Sequence, residues 1–289
     1  MEIIELKEKL RSIKTLPTFP YIVEEVLRVL DDPKSSAKDL AKKMDASMTG
    51  EVLRIANSAY YGTRNFRTIN SVEHAIAIIG FQPLLSLLLQ MPFLSLVVGT
   101  NGQFDEKYYL RHSMLTAVLS KTLSRSLGLG DPNVLYVGGM IHDLGKVVIY
   151  SLFGKEWEEI RRLITEEKLP TCEAERKVLG TDHAYIGGTL LDHWNIPGLL
   201  VNNVKFHHEP DLSEGHSDYA LCIYLGDSIC RGIEEIILGE DKDLLKEKLR
   251  EILFNSVEFE KVREDILDGY VDELFYAIIE IKPVIRGLS

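Results

Sequence analysis

Seven residues with good metal-binding side chains are spread along this 289-residue chain: His112, His142, Asp143, His183, His207, His208 and Asp227. Two of them are adjacent in "GGMIHDLGKVVIY" (138–150) and two more in "VKFHHEP" (204–210). The others lie in "YYLRHSML" (108–115), "GTDHAYIGGTLL" (180–191) and "YLGDSIC" (224–230). Each stands in or beside an apolar run. An imidazole or carboxylate buried there without a partner costs several kcal/mol. A divalent metal removes that cost, because it favours neutral imidazole and ionised carboxylate and holds both in place. Five histidines and two aspartates suit two adjacent ions better than one. Asp143 could bridge them, since a carboxylate has two oxygens and an imidazole offers one donor nitrogen.

The elements that carry these residues read as helices. Met140, Ile141, Leu144, Val147 and Val148 recur at helical spacing, which predicts a buried helix over 132–150. Further helices are expected near 2–13, 20–31, 36–44, 47–57, 70–79 and 82–98, with Ser36 and Ser47 as N-caps. Beyond the turn-rich "GTNGQFDEK" (99–107) they are expected near 105–127, 155–168, 182–193, 197–207, 217–235 and 258–281. No strand alternation or repeat stands out, so the class is all-α. Neighbouring helical residues point about 100° apart. His207 and His208 can therefore share an ion only at a helix end, and Glu209-Pro210 supplies one. His74, His193 and His216 read as surface or helix-end residues.

Charge divides the chain. Residues 1–98 hold 12 Lys/Arg and 11 Asp/Glu, whereas the whole chain holds 33 and 44, leaving 21 and 33 for the remainder. An even N-terminal part and an acidic C-terminal part predict two units, 1–98 and 99–289. The acidity argues against broad phosphate-backbone binding. Segment 36–58 has the outline of a helix-turn-helix, but its second helix offers only Arg54 and carries Glu51, so no nucleic-acid partner is expected. Residues 74–104 contain no Asp, Glu, Lys or Arg. Pro83, Pro92, Gly80, Gln82 and Gln90 interrupt the stretch and no basic cluster flanks it, which predicts buried helices and not a membrane span. Cys172, Cys222 and Cys230 show no disulfide or metal spacing, and the N-terminus is charged throughout, so a reducing cytoplasm is the expected compartment.

The ordered set of His112, "HDLGK" (142–146), "DHAYIGGTLL" (182–191), "FHHEP" (206–210) and Asp227 resembles the HD superfamily of metal-dependent phosphohydrolases. "LPTFPYIVEEVLRVLDDP" (16–33), "DASMTGEVLRIANSAYYG" (45–62) and "INSVEHAIAIIG" (69–80) narrow the resemblance to the HDOD domain, an HD-related output module of bacterial signalling proteins. The likeness runs from about residue 14 to about residue 235 and leaves a C-terminal helical extension unmatched. It implies an N-terminal helical bundle packed on an HD-like multi-helix domain. It also implies one metal held by His112, His142, Asp143 and Asp227, and a second held by Asp143, His183, His207 and His208. The metals would be divalent transition ions (iron, manganese, zinc or nickel). HD enzymes use them to make a water acidic enough to attack phosphorus, with Lys146 on the substrate phosphate and Asp143 and Lys146 as the catalytic pair.

Many HDOD domains have lost these ligands and act as regulatory modules; here every ligand position is filled. In place of the Gly-Tyr-Pro run of the cyclic-di-GMP phosphodiesterases, the chain has "HHEPDLSEGHSDYA" (207–220). Basic residues close in sequence are limited to Lys146 and Lys205. The expected function is a signalling module that binds metal and either a phosphorylated small molecule or a protein partner. An active phosphohydrolase or phosphodiesterase is the alternative. No receiver, cyclase or kinase segment is recognisable, so the input is expected from a separate molecule, and the near-neutral N-terminal bundle is its expected docking surface.

Overall fold

The computed structural model describes residues 104–259 and 263–287 continuously, residues 69–79, and, in the N-terminal part, residues 21, 23–25, 27–28, 49–50, 53, 84 and 88–89. Among these residues every regular element is a helix, as expected for an all-α chain. They are α1 (Val72–Ile79), α2 (Glu106–Leu127), α3 (Pro132–Ile141), α4 (Leu144–Leu152), α5 (Gly154–Thr165), α6 (Thr171–Leu179), α7 (His183–His193), α8 (Gly198–Lys205), α9 (Ser217–Ile233), α10 (Lys242–Phe254) and α11 (Glu264–Gly287). The expected helices at 2–13 and 36–44, the caps Ser36 and Ser47, the boundary at 98–99 and most of segments 36–58 and 82–98 lie outside the described residues. Leu84, Leu88 and Leu89, from the uncharged stretch, are at most 1% exposed. No helix among the described residues is long and apolar enough to cross a membrane.

Helix α2 is the central post, packed against α3, α9 and α11, while α7 packs on α4 and α8. Its ends are chemically marked. The Asp105 carboxylate accepts the Tyr108 N–H at 2.9 Å, and Gly128 closes the helix in the left-handed region (φ 67°), where an L side chain would be strained. Asp131 caps α3 in the same way, accepting the Asn133 N–H at 2.7 Å with Pro132 in the first turn.

Two glycines let backbones meet at the centre of the molecule. A Cβ on Gly139 would lie 2.6 Å from Cα of Ala117, so α3 crosses α2 with no side chain between them. A Cβ on Gly145 would fall on the carbonyl of His183, so the start of α4 abuts the start of α7. Around these crossings Leu119, Met140, Ile149, Leu190 and Leu225 are buried. Each contributes about 1.5–3 kcal/mol of burial, and together they make the surroundings in which an unpaired polar group is most costly.

The helices differ from expectation in four places, one of them α11, expected near 258–281 and found at Glu264–Gly287. The run 132–150 is two helices: Asp143 leaves helical geometry (φ −90°, ψ 11°) and caps α4. Helices α6 and α10 were not expected; both belong to charged segments whose apolar stripes are narrow.

Candidate metal centre

The seven singled-out residues are delivered by four local devices: helix interiors, a helix break, a helix start and a turn. His112 sits inside α2, and Asp227 inside α9. His142 and Asp143 occupy the break between α3 and α4. An aspartate at an N-cap normally accepts backbone N–H bonds from the first turn; Asp143 makes no such bond, leaving its carboxylate for other partners. His183 is the first residue of α7, placed by the Asp182 cap, which accepts the Tyr185 N–H at 3.0 Å. Helix α8 stops at Lys205, so His207 and His208 fall in the following turn, where adjacent side chains can converge.

They do converge. One oxygen of Asp143, Oδ2, lies 3.5 Å from His112 Nε2 and 3.4 Å from His142 Nε2. Asp227 Oδ1 closes that group, 3.2 Å from His112 Nε2 and 3.9 Å from His142 Nε2. The other oxygen of Asp143, Oδ1, lies 3.1 Å from His183 Nε2 and 3.9 Å from His207 Nε2. His208 Nε2 completes the second group, 3.0 Å from His183 Nε2. All seven residues are buried except His208, which is partly exposed.

These spacings fit metal ions. With metal–ligand bonds of about 2.0–2.1 Å, adjacent donors stand about 2.8–3.0 Å apart in an octahedral sphere and about 3.3–3.4 Å apart in a tetrahedral one, so the two 3.9 Å pairs must draw inward on an ion. Among the donor atoms, buried Nε2 of His112, His142 and His207, and Oδ1 of Asp143, make no aligned hydrogen bond. The far side of each ring is occupied instead. His142 Nδ1 donates to the Gly139 carbonyl (2.8 Å) and His207 Nδ1 to the Val204 carbonyl (2.7 Å). His183 Nδ1 meets Glu175 Oε2 at 2.7 Å, and His112 Nδ1 meets Cys230 Sγ at 3.3 Å. A carbonyl or carboxylate at Nδ1 fixes the proton there and turns the Nε2 lone pair toward the centre, the arrangement metal-binding histidines use.

Electrostatics divide the histidines. Burial, opposed by Asp143 and Asp227, brings His142 down to about 4, and burial with neighbouring His183 brings His208 to about 3. Burial followed by His208 also depresses His207. These three rings are neutral, as ligation requires. Burial pulls the same way on His112, but Cys230, Asp227 and Asp143 outweigh it and raise it to about 10. Burial is likewise outweighed at His183, where Glu175 and Asp143 raise the value to about 9. Those two positions attract positive charge that a metal would supply in place of a proton. Despite their burial, Asp143 and Asp227 are held ionised by the histidines and by Lys146 and Arg231 respectively.

Lys146 faces the site and donates to Asp143 Oδ2 at 2.6 Å, with about a quarter of its side chain exposed. Arg231 stands 2.9 Å from Asp227 Oδ2. Basic groups near the centre are therefore more numerous than neighbourhood in sequence suggests. Arg231 lies four residues beyond Asp227 on α9, a spacing that brings side chains together on a helix, so it was within reach of sequence reasoning. Glu175 was not. It is fully buried on α6 and accepts both the backbone N–H (2.8 Å) and Nδ1–H of His183. Arg176 beside it joins Asp182 (2.7 Å) to Glu209 (2.8 Å), tying the start of α7 to the turn after the histidine pair. Next to this clamp opens a pocket of about 620 Å³ that reaches His208 and is lined by Arg176, Lys205, Tyr185 and Phe206. Of the remaining histidines, His193 is exposed at the end of α7 and His74 and His216 are half-buried; none of the three joins the centre.

Residues 16–210 match the HDOD domain family, and the chain belongs to it. Over 201 residues it is 24% identical to a Treponema pallidum (strain Nichols) protein of uncharacterised function; the match takes in 68% of this chain and 38% of that relative's length. Among solved structures it resembles an HDOD domain protein of unknown function from Geobacter sulfurreducens, with a TM-score of 0.66 and 23% identity over 98% of this chain and 97% of that one. A protein from Shewanella amazonensis described as a candidate phosphohydrolase gives a TM-score of 0.61 and 21% identity over 98% and 96%. The shared fold thus extends over the C-terminal helices that sequence motifs left unmatched.

Proposed function

We propose that this chain is a cytoplasmic HDOD signalling module in which two divalent transition metals, bridged by Asp143, form the recognition centre for a phosphorylated small molecule, and whose N-terminal bundle docks a signalling protein partner. One ion is held by His112, His142, Asp143 and Asp227, the other by Asp143, His183, His207 and His208. The observation that carries this reading is the division of the Asp143 carboxylate, with Oδ2 facing one donor group and Oδ1 the other.

Bound there, divalent metals supply Lewis acidity, which polarises a phosphoryl oxygen and makes a coordinated water more acidic. The residues of the chain do the rest. Lys146 and Arg231 bring positive charge to the rim, each able to exchange part of its contact with an aspartate for a phosphate oxygen. The aliphatic shell excludes water, which strengthens every charge interaction inside it. Nucleic acid and membrane are not partners in this reading, given the acidic HD-like part.

The second reading, an active phosphohydrolase or phosphodiesterase, is favoured by Arg231 and by the pocket at His208, which together supply more of a substrate site than Lys146 alone. A screen of phosphomonoesters, nucleotides and cyclic dinucleotides with iron- or manganese-loaded protein decides between them. The module reading expects saturable binding that weakens in Lys146→Ala, with no robust turnover of cyclic di-GMP. Robust turnover abolished in both Asp143→Ala and Lys146→Ala would overturn it in favour of the enzyme.

A further inference from the structure

Helix α6 presents Cys172, Glu175, Arg176 and Leu179 at intervals of three and four, a single stripe along one side of the helix. Three of the four are already engaged beside the second donor group. Glu175 holds His183 through two hydrogen bonds, Arg176 holds Asp182 and Glu209, and Leu179 lines the pocket. Cys172, in the first turn of α6, is the fourth. Its Sγ and one ring nitrogen each of His183 and His208 lie within 4.8 Å of one another. It forms no disulfide.

We propose that Cys172 is a sulfur ligand to the ion held by His183 and His208, giving the second half of the centre a mixed nitrogen, oxygen and sulfur donor set. This rests on the metal-binding reading above and adds a donor to it. The geometry allows it. With a metal–sulfur bond of about 2.3 Å and metal–nitrogen bonds of about 2.0–2.1 Å, donors sit about 3.5 Å apart in a tetrahedral sphere and about 4.4 Å apart when opposite. With the sulfur and both nitrogens already within 4.8 Å of one another, closure on an ion requires only side-chain movement. The register of α6 is fixed independently by Glu175, so the cysteine cannot drift away from His183 without breaking two buried hydrogen bonds. The consequence is selectivity. Thiolate favours zinc, iron(II) or cobalt(II) over manganese or magnesium, which prefer oxygen donors. The two halves of the centre would then differ in metal preference, with the thiophilic ion at the half that opens to the pocket.

Cobalt(II) is the probe, because its ligand-field bands report that it is bound and a thiolate-to-cobalt charge-transfer band in the near ultraviolet reports a sulfur ligand. Wild-type protein loaded with cobalt(II) should show both. Cys172→Ser should lose the charge-transfer band and keep the ligand-field bands, because the histidines and Asp143 remain. Cys222→Ala should keep both, since Cys222 packs with Leu135 and Ile223 and belongs to neither donor group. Ligand-field bands without the charge-transfer band in wild type would overturn the proposal. So would a charge-transfer band that survives Cys172→Ser or vanishes in Cys222→Ala. Absence of both bands would remove the metal-binding reading itself, and this inference with it.

Discussion

The two halves of the centre are made from different parts of the fold. His112 and Asp227 project from the interiors of two long helices, α2 and α9, and His142 from the end of α3; all three are at most 3% exposed. Their relative placement follows from helix packing around the crossing at Gly139, and their outer partners are a backbone carbonyl, a thiol and an arginine. The other half is assembled from ends and turns. His183 opens α7, His207 and His208 follow α8, and the polar stripe of α6 holds them in place. One half is set by packed helices. The other is a set of termini held by hydrogen bonds beside an open pocket, and it is there that ligand exchange and adjustment cost least. Asp143 belongs to both.

The comparison breaks most sharply at that shared residue. Asp143→Ala is expected to remove most of the metal from both halves, whereas His112→Ala should empty the first and spare the second; elemental analysis of reconstituted protein reads the difference. Retention of two ions by Asp143→Ala would make the halves independent. Next in size is metal removal. An ion bound only by the folded chain adds about 2.7 kcal/mol of stability at a free concentration a hundred times its dissociation constant, and buried carboxylates left without it repel. The melting temperature should fall with chelator and recover when metal is restored. An unchanged melting curve in protein shown to have lost its metal would contradict this.

A smaller effect separates the halves. Glu175→Gln keeps an acceptor for His183 but removes the charge, and loss of such an outer partner weakens metal binding by about 10–100-fold. The loss is expected in the second half alone, read as one weakened and one unchanged affinity in a metal titration. Equal weakening of both affinities would show that the halves are not separately supported.

The same contrast explains what could be read before the fold was known. His142-Asp143, His207-His208 and the isolated His112, His183 and Asp227 stand out because they interrupt apolar runs, and the HD-like order groups them. The helices that bear them are strongly periodic, and their limits fall within a few residues of expectation, as for Glu106–Leu127 and His183–His193. The break at Asp143 was invisible because Met140, Ile141, Leu144, Val147 and Val148 keep helical spacing across it. The backbone turns there to bring Gly145 against His183, a contact between segments some forty residues apart. Helix α6 was missed for a related reason. In "TCEAERKVLG" (171–180) the buried face carries Glu175, and a carboxylate in a core position hides an amphipathic pattern instead of announcing one. Its burial is explained only by His183, eight residues away. Arg176 and Cys172 likewise acquire their roles from the turn after α8, which no local pattern places beside them.

The central claim is that seven side chains hold a bridged pair of metals, and a count of ions tests it most directly. Protein purified without chelators or a histidine tag, reconstituted with excess iron, manganese or zinc and then freed of unbound ions, should retain up to two per chain by elemental analysis. Retention of none, in folded protein, would show that the seven residues form only a hydrogen-bonded polar core and would contradict the account.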